Sequence, residues 1–227
     1  MLKKILKFLI GSIIAFFLLT IGIVVLYKYV PVPYTPLMAI RSHQAKQEGK
    51  TLQTQKKWVP IEKINGSMIV AVIASEDNLF PTHNGFDWKE INNAIEESKA
   101  GKRQRGASTI SQQTAKNVFL TPNRSFIRKG FEVYFTILIE KIWGKKRIME
   151  VYLNVIEMGP GIYGIEAASQ KYFHCSSNKL TKQQSALIAA CLPNPLKRNP
   201  ARPSNYVYSR QQQILNLMPK MGKVVLK

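Results

Sequence analysis

The chain has 227 residues, with 33 Lys and Arg against 13 Asp and Glu, giving a formal net charge of +20 and a pI near 10. An apolar share of 45% excludes a chain disordered throughout, and two cysteines cannot build a disulfide framework or a cysteine-rich zinc site. The length allows one ordinary domain with something appended.

The appended part comes first. Phe8 to Tyr27 is a run of twenty residues without a charge, which as a helix spans about 30 Å, the thickness of a bilayer's hydrocarbon core. Lys28-Tyr29-Val30-Pro31 offers no small-x-small cleavage site, so the run reads as an uncleaved transmembrane anchor. Lys3, Lys4 and Lys7 precede it and only Lys28 follows closely, which places the N-terminus in the cytoplasm and residues 29–227 outside the inner face. Without those four lysines, 29 basic residues face 13 acidic ones, so the external part carries +16. Such a domain meets anionic headgroups and phosphate-bearing lipids. Nucleic acid is not an expected partner, because there is no C2H2 spacing, no RNP-like motif and no glycine-rich phosphate loop ahead of a helix.

Residues 29–60 hold Pro31, Pro33, Pro36 and Pro60 among polar residues and read as a stalk. This divides the chain into a cytoplasmic tip and anchor (1–28), a stalk (29–60) and a folded domain (61–227). The domain reads as mostly α, since no stretch sustains period-two alternation. Its first helix, around MIVAVIASEDNLF, is too apolar for a surface helix. Asp87 and Glu90 form a D-x-x-E cap ahead of KEINNAIEESKA, which Gly101 ends, and Thr109 and Gln112 form a capping box opening ISQQTAKNVFL. Further helices are predicted at about 125–143, 145–156, 163–173, 181–191 (opened by Thr181 and Gln184) and 204–218.

Three clusters could carry chemistry. Glu76 closes the apolar helix, followed by Asp77, Phe80, His83 and Gly85. A carboxylate at that place can have its pKa raised by desolvation, as suits a general base or acid, but it could equally be a surface acid at a helix end. In G-A-S-T-I-S-Q-Q-T-A-K-N (106–117), Thr109, Gln113 and Lys116 share one face of a helix whose N-terminus favours an anion. The alternative is a well-capped helix with a polar outer side. Arg128 and Lys129 precede Glu132, which reads either as an exposed intrahelical ion pair or as a diphosphate clamp beside a second carboxylate.

Together S-E-D-N-L-F-P-T-H-N-G, G-A-S-T-I-S-Q-Q-T-A-K-N, R-K-G-F-E, K-R-I-M-E-V-Y-L-N (146–154) and G-I-Y-G-I-E-A-A-S-Q-K-Y-F (161–173) resemble the five ordered motifs of the family 51 glycosyltransferases, the peptidoglycan polymerases. The resemblance runs from about Trp58 to Leu217 and is to the single-domain members. A lysine-threonine-glycine motif is absent, so the S-x-x-K match at Ser176–Lys179 is accidental.

The resemblance implies a lysozyme-like α fold that polymerises lipid II into β-1,4 glycan strands with inversion, releasing undecaprenyl diphosphate. It implies Glu76 as general base and Glu132 as a second catalytic carboxylate, which either stabilises developing positive charge or holds the cations. Asp77, Phe80, His83, Ser108, Thr109, Gln112, Gln113, Lys116, Asn117, Arg128 and Lys129 are then the expected substrate-binding residues. The expected setting is the inner (plasma) membrane, crossed once, with the catalytic domain periplasmic, and the expected partners are lipid II, the growing glycan strand and other wall-synthesis or division proteins. No cofactor is required; a divalent metal could assist at the diphosphate, although no ligand cluster demands one. The rival readings are a glycan-cleaving lysozyme-like or lytic enzyme, which needs no diphosphate-binding cations, and a non-catalytic scaffold. Cys175 and Cys191 are expected to be free, although an oxidising compartment permits pairing.

Overall fold

The computed structural model describes residues 1–49, 53–101, 108–123 and 125–226. The helices are α1 (Leu2–Tyr29), α2 (Pro36–Gln47), α3 (Gly66–Glu76), α4 (Trp88–Lys99), α5 (Ile110–Phe119), α6 (Phe126–Ile142), α7 (Gly144–Val155), α8 (Ile165–Phe173), α9 (Lys182–Cys191) and α10 (Asn205–Leu217). Among the described residues the strands β1 (Gln55–Lys56), β2 (Glu157–Gly159) and β3 (Ile162–Tyr163) form a small sheet in the order β1-β3-β2. At two or three residues each they are too short for alternation to show in the sequence. Cys175 and Cys191 are free.

Local signals set the helix ends. Thr109 accepts the Gln112 N–H while the Gln112 side chain accepts the Thr109 N–H, and Thr181 and Gln184 repeat the arrangement. Asp87 accepts the Glu90 N–H. Gly101, past the end of α4, has φ +69°.

The core gathers around α3, whose Met68, Ala71, Val72, Ile73 and Ala74 are buried. On one side Ala71 and Ala74 cluster with Ala186, Ala189 and Ala190 of α9, and small side chains let these helices approach closely, with Val207 and Ile214 of α10 closing the layer. On the other side Val72 and Ile73 join Ile110 of α5, Phe135 and Ile139 of α6 and Ile148, Met149 and Tyr152 of α7. Ala74, the last buried residue of a helix held on both sides, is thereby fixed in place, and two residues further along the helix is Glu76.

The described parts of the segment expected to be a stalk, 29–49 and 53–60, are folded onto this body. Val32 and Met38 are fully buried, Thr35 caps α2, and Pro36 sits in the first turn of that helix, where proline is favoured rather than disruptive. Gln55 and Lys56 pair in parallel with Ile162 and Tyr163. The Asn154 side chain grips Val59 at both ends, accepting its N–H at 2.8 Å and donating to its carbonyl at 2.9 Å. Pro36 therefore opens a helix and Pro60 precedes a short 3-10 helix, Ile61–Lys63, rather than marking a spacer.

Helix α1 is long and apolar enough to cross a membrane. Its C-terminal half also docks on the body. Trp143 Nε1 donates to the Val24 carbonyl at 2.7 Å, and Arg147 donates to the carbonyls of Tyr27 (2.8 Å) and Val30 (2.5 Å), groups that the helix end leaves unpaired. Thr20 meets the Tyr134 hydroxyl at 2.8 Å, and Phe16 packs on Phe131 of α6. Beside it, Phe126, Ile127 and Ile137 leave an apolar strip of α6 exposed.

Candidate active site

Glu76 is delivered by the most apolar of the body's helices, and burial pushes its carboxyl above the ordinary carboxylate range. Gln113 Nε2 donates to it at 3.1 Å and Ser75 Oγ at 3.4 Å. Gln113 is itself oriented, because the Tyr152 hydroxyl donates to its Oε1 at 3.4 Å, leaving the amide N–H₂ to face Glu76. Burial pushes the Tyr152 phenol up, which keeps it protonated as that donor.

Glu76 opens into a cavity of about 550 Å³. Ser75, Ser108, Gln113, Lys116 and Asn117 share its wall with Leu37 of α2, Ile156 and Glu157, and Leu192, Pro193 and Pro195 beyond α9. Lys116 lies within electrostatic reach of Glu132, Arg128 and Lys129; burial lowers its pKa, while the Glu132 carboxylate opposes that shift. Glu132 is 3% exposed and takes Arg128 Nη1 at 2.6 Å together with Lys129 Nζ. The pair is therefore not the exposed ion pair of the plainer alternative. Arg128 and Lys129 both pair with this one carboxylate and Lys116 stands nearby, so basic groups outnumber acidic ones in the cluster. The Arg128 Nε–H is buried without a hydrogen-bond partner.

Five of the expected substrate-binding residues turn toward protein instead. Phe80 is fully buried in the core. Asp77 accepts the Ile110 N–H at 2.9 Å and the His83 Nε2–H at 2.9 Å, while His83 Nδ1 accepts the Gly85 N–H at 3.0 Å, which fixes the tautomer. The Thr109 hydroxyl donates to the Gly85 carbonyl at 2.7 Å, and Gln112 closes the capping box. Gly85 needs its φ of +93°, and a Cβ there would lie 2.9 Å from Thr136 Cγ2. These groups hold the N-terminus of α5 against the end of α3, and so hold Gln113 and Lys116 relative to Glu76.

Sequence reasoning missed Tyr152, Leu37 and Glu157. Tyr152 lies inside the fourth motif, where its polar tip on an apolar helix face was the available signal. Glu157, in V-I-E-M-G, is an acid among apolar residues, the criterion that singled out Glu76. Ser108 also lines a second, apolar groove between α4 and α6 with Trp88, Ile95, Lys129 and Val133. Among the described residues no group of His, Cys, Asp and Glu side chains could hold a metal ion.

A family model described as Transglycosylase matches residues 43–219. The chain belongs to the transglycosylase family. Proteins named biosynthetic peptidoglycan transglycosylase are similar over most of its length. One from Bdellovibrio bacteriovorus is 55% identical over 210 residues, covering 92% of this chain and 84% of the relative. One from Bacteroides thetaiotaomicron is 54% identical over 229 residues, covering 100% and 92%, and one from Caulobacter vibrioides 52% over 191, covering 84% and 81%. The matched span begins inside α2, so the transglycosylase region takes in part of the segment that reads as a stalk.

Proposed function

We propose that this transglycosylase polymerises lipid II into β-1,4 glycan strands, with Glu76 as general base. The carrying observation is one cavity lined by both the partly buried Glu76 carboxylate and Lys116, the member of the cation cluster that reaches it. The 4-hydroxyl of the acceptor sugar attacks the anomeric carbon of the diphosphate-linked donor. Its proton passes to Glu76 as the new C–O bond forms, and the electron pair of the breaking bond leaves with the diphosphate. Attack opposite an α-linked leaving group gives the β product. A carboxyl made more basic by burial suits this proton transfer near neutral pH.

The diphosphate is already a good leaving group and needs cations more than a proton donor. Lys116, Arg128 and Lys129 supply them, and the unpartnered Arg128 Nε–H is a ready donor to a phosphate oxygen. Glu132 holds Arg128 and Lys129 in place. Asp77, His83, Thr109 and Gln112 act as positioning residues beneath the cavity.

In this reading α1 crosses the plasma membrane with its lysine-flanked N-terminus in the cytoplasm, the catalytic body lies on the periplasmic side, and the exposed apolar strip of α6 beside α1 meets the bilayer that holds the substrate. The cation cluster favours transfer over glycan cleavage, which has no use for diphosphate binding. The deciding experiment supplies purified lipid II in detergent to the full chain and separates polymer from released fragments. Polymer that is lost in Glu76→Gln supports the reading; fragments alone, or no product, overturn it.

A further inference from the structure

Glu157 is the second carboxylate in the wall of the catalytic cavity, and the scheme above gives it no task. It lies on β2 directly across from Tyr163 of β3. Its neighbours hold it loosely. Arg41 Nη2 donates at 3.4 Å, the Tyr163 hydroxyl at 3.3 Å, and Arg41 Nε lies 3.4 Å away without making a hydrogen bond. The charge-assisted contacts that hold the other buried carboxylates of the body are shorter, 2.6 Å to Glu132, 2.8 Å to Glu166 and 2.9 Å to Asp77.

A carboxylate has about four acceptor positions, and long contacts from two donors leave much of that capacity unused. The burial cost is visible in the carboxyl itself, which is pushed above its ordinary value despite the neighbouring guanidinium. An ion pair serving only to fasten α2 to the sheet gains from close contact and from distance to the cavity, and Glu157 has neither.

The surroundings indicate which ligand group would complete it. A diphosphate is excluded from its immediate contact by like charge in a partly desolvated wall. Leu37, Ile156, Leu192, Pro193 and Pro195 supply apolar surface in the same cavity. An acceptor-rich carboxylate among flat apolar surfaces matches the hydroxyl or acetamido N–H donors and the C–H faces of a sugar. Leu37 and Arg41 lie four residues apart on α2, so one helix face supplies both an apolar part of the wall and the guanidinium that steadies Glu157.

We infer that Glu157, steadied by Arg41 and Tyr163, is a saccharide-binding residue that accepts hydrogen bonds from the uncharged sugar portion of the substrate in the catalytic cavity. The inference rests on the polymerase reading, and wild-type polymerisation of lipid II in the same assay tests that reading separately.

The experiment measures steady-state polymerisation of lipid II by the full chain for wild type, Glu157→Ala and Glu157→Gln, together with competitive inhibition by farnesyl diphosphate, which carries the diphosphate and a prenyl chain but no sugar. In Glu157→Ala, KM rises about tenfold to a hundredfold, the range for losing a hydrogen bond to a charged group, while kcat stays within about threefold and the inhibition constant within twofold. Glu157→Gln keeps one acceptor oxygen and the side-chain size, so its KM lies between wild type and Glu157→Ala. If KM stays within twofold of wild type, or if farnesyl diphosphate binding weakens in step with KM, the inference is overturned, the second result marking a distorted cavity. Should Glu157→Ala fail to fold, the same criteria applied to Glu157→Gln decide, with a KM rise above twofold at unchanged inhibition required.

Discussion

Asp77→Asn isolates the part played by the scaffold under the cavity. His83 Nδ1 accepts the Gly85 N–H, so Nε2 carries the proton and needs an acceptor opposite it. Asp77 supplies that acceptor and also takes the Ile110 N–H at the start of α5. Asparagine has one oxygen for these two donors. If the oxygen keeps Ile110, the amide N–H₂ faces the imidazole N–H; if it turns to His83, the helix N–H is left buried and unbonded. A buried donor without a partner costs about 1–3 kcal/mol, and losing a negative charge at a helix N-terminus adds about 0.3–1 kcal/mol.

A total of about 3 kcal/mol lowers Tm by about 6–12 °C in a domain of this size. The functional loss is larger than the stability loss suggests, because α5 carries both Gln113 and Lys116. A displacement of about 1 Å at a reacting centre can cost on the order of a hundredfold in rate. Differential scanning calorimetry in detergent, with lipid II polymerisation measured well below Tm, reads both effects. Wild-type Tm and activity in Asp77→Asn would refute the positioning role of the Asp77–His83–Gly85 chain and return Asp77 to the list of direct substrate contacts.

Glu76→Gln lowers polymerisation by about 10²–10⁴-fold, as expected for loss of a general base. Its stability moves differently. Below the ordinary carboxylate pKa of about 4.3 both side chains are neutral and the two proteins melt alike. As pH rises through the raised pKa of Glu76 only wild type acquires a buried charge, so at neutral pH the Gln variant is at least as stable, and a lower Tm there contradicts the burial argument. Polymerisation by wild type rises with pH through that same pKa, which a pH profile of kcat/KM measures. Lys116→Ala weakens binding of a diphosphate-linked lipid by about 1.5–3 kcal/mol, or roughly 10–150-fold, with a shallower salt dependence; unchanged affinity moves the phosphate site elsewhere. Removing residues 1–28 leaves the core helices intact but strips Trp143 and Arg147 of their α1 carbonyl partners, so Tm falls by several degrees, as calorimetry reports. The same truncated chain still sediments with anionic vesicles at low salt through its charge and the apolar strip of α6, and its staying in solution under every condition would leave membrane residence to α1 alone.

The sequence by itself determined the features whose causes lie within a few residues of one another. The capping boxes at Thr109 and Thr181 are satisfied across three residues, and the helices they open stand where the spacing predicts them. The run long and apolar enough to cross a membrane is a matter of length and composition. Glu76 could be singled out because an acid ending an apolar helix is unusual wherever that helix packs. Which way the other motif residues face was decided only by tertiary structure. Asp77, Thr109 and Gln113 share neighbouring motifs, yet Asp77 turns to Ile110, 33 positions away, Thr109 to Gly85, and Gln113 alone of the three reaches Glu76. Residues 29–60 read as a stalk because their prolines are local signals, whereas the contacts that fold them, Val59 to Asn154 and β1 to β3, join positions about a hundred residues apart. Glu157 enters the cavity for the same reason. A polar side chain's role follows from the partners that satisfy its hydrogen bonds, and here those partners come from distant helices and strands that only the folded chain brings together.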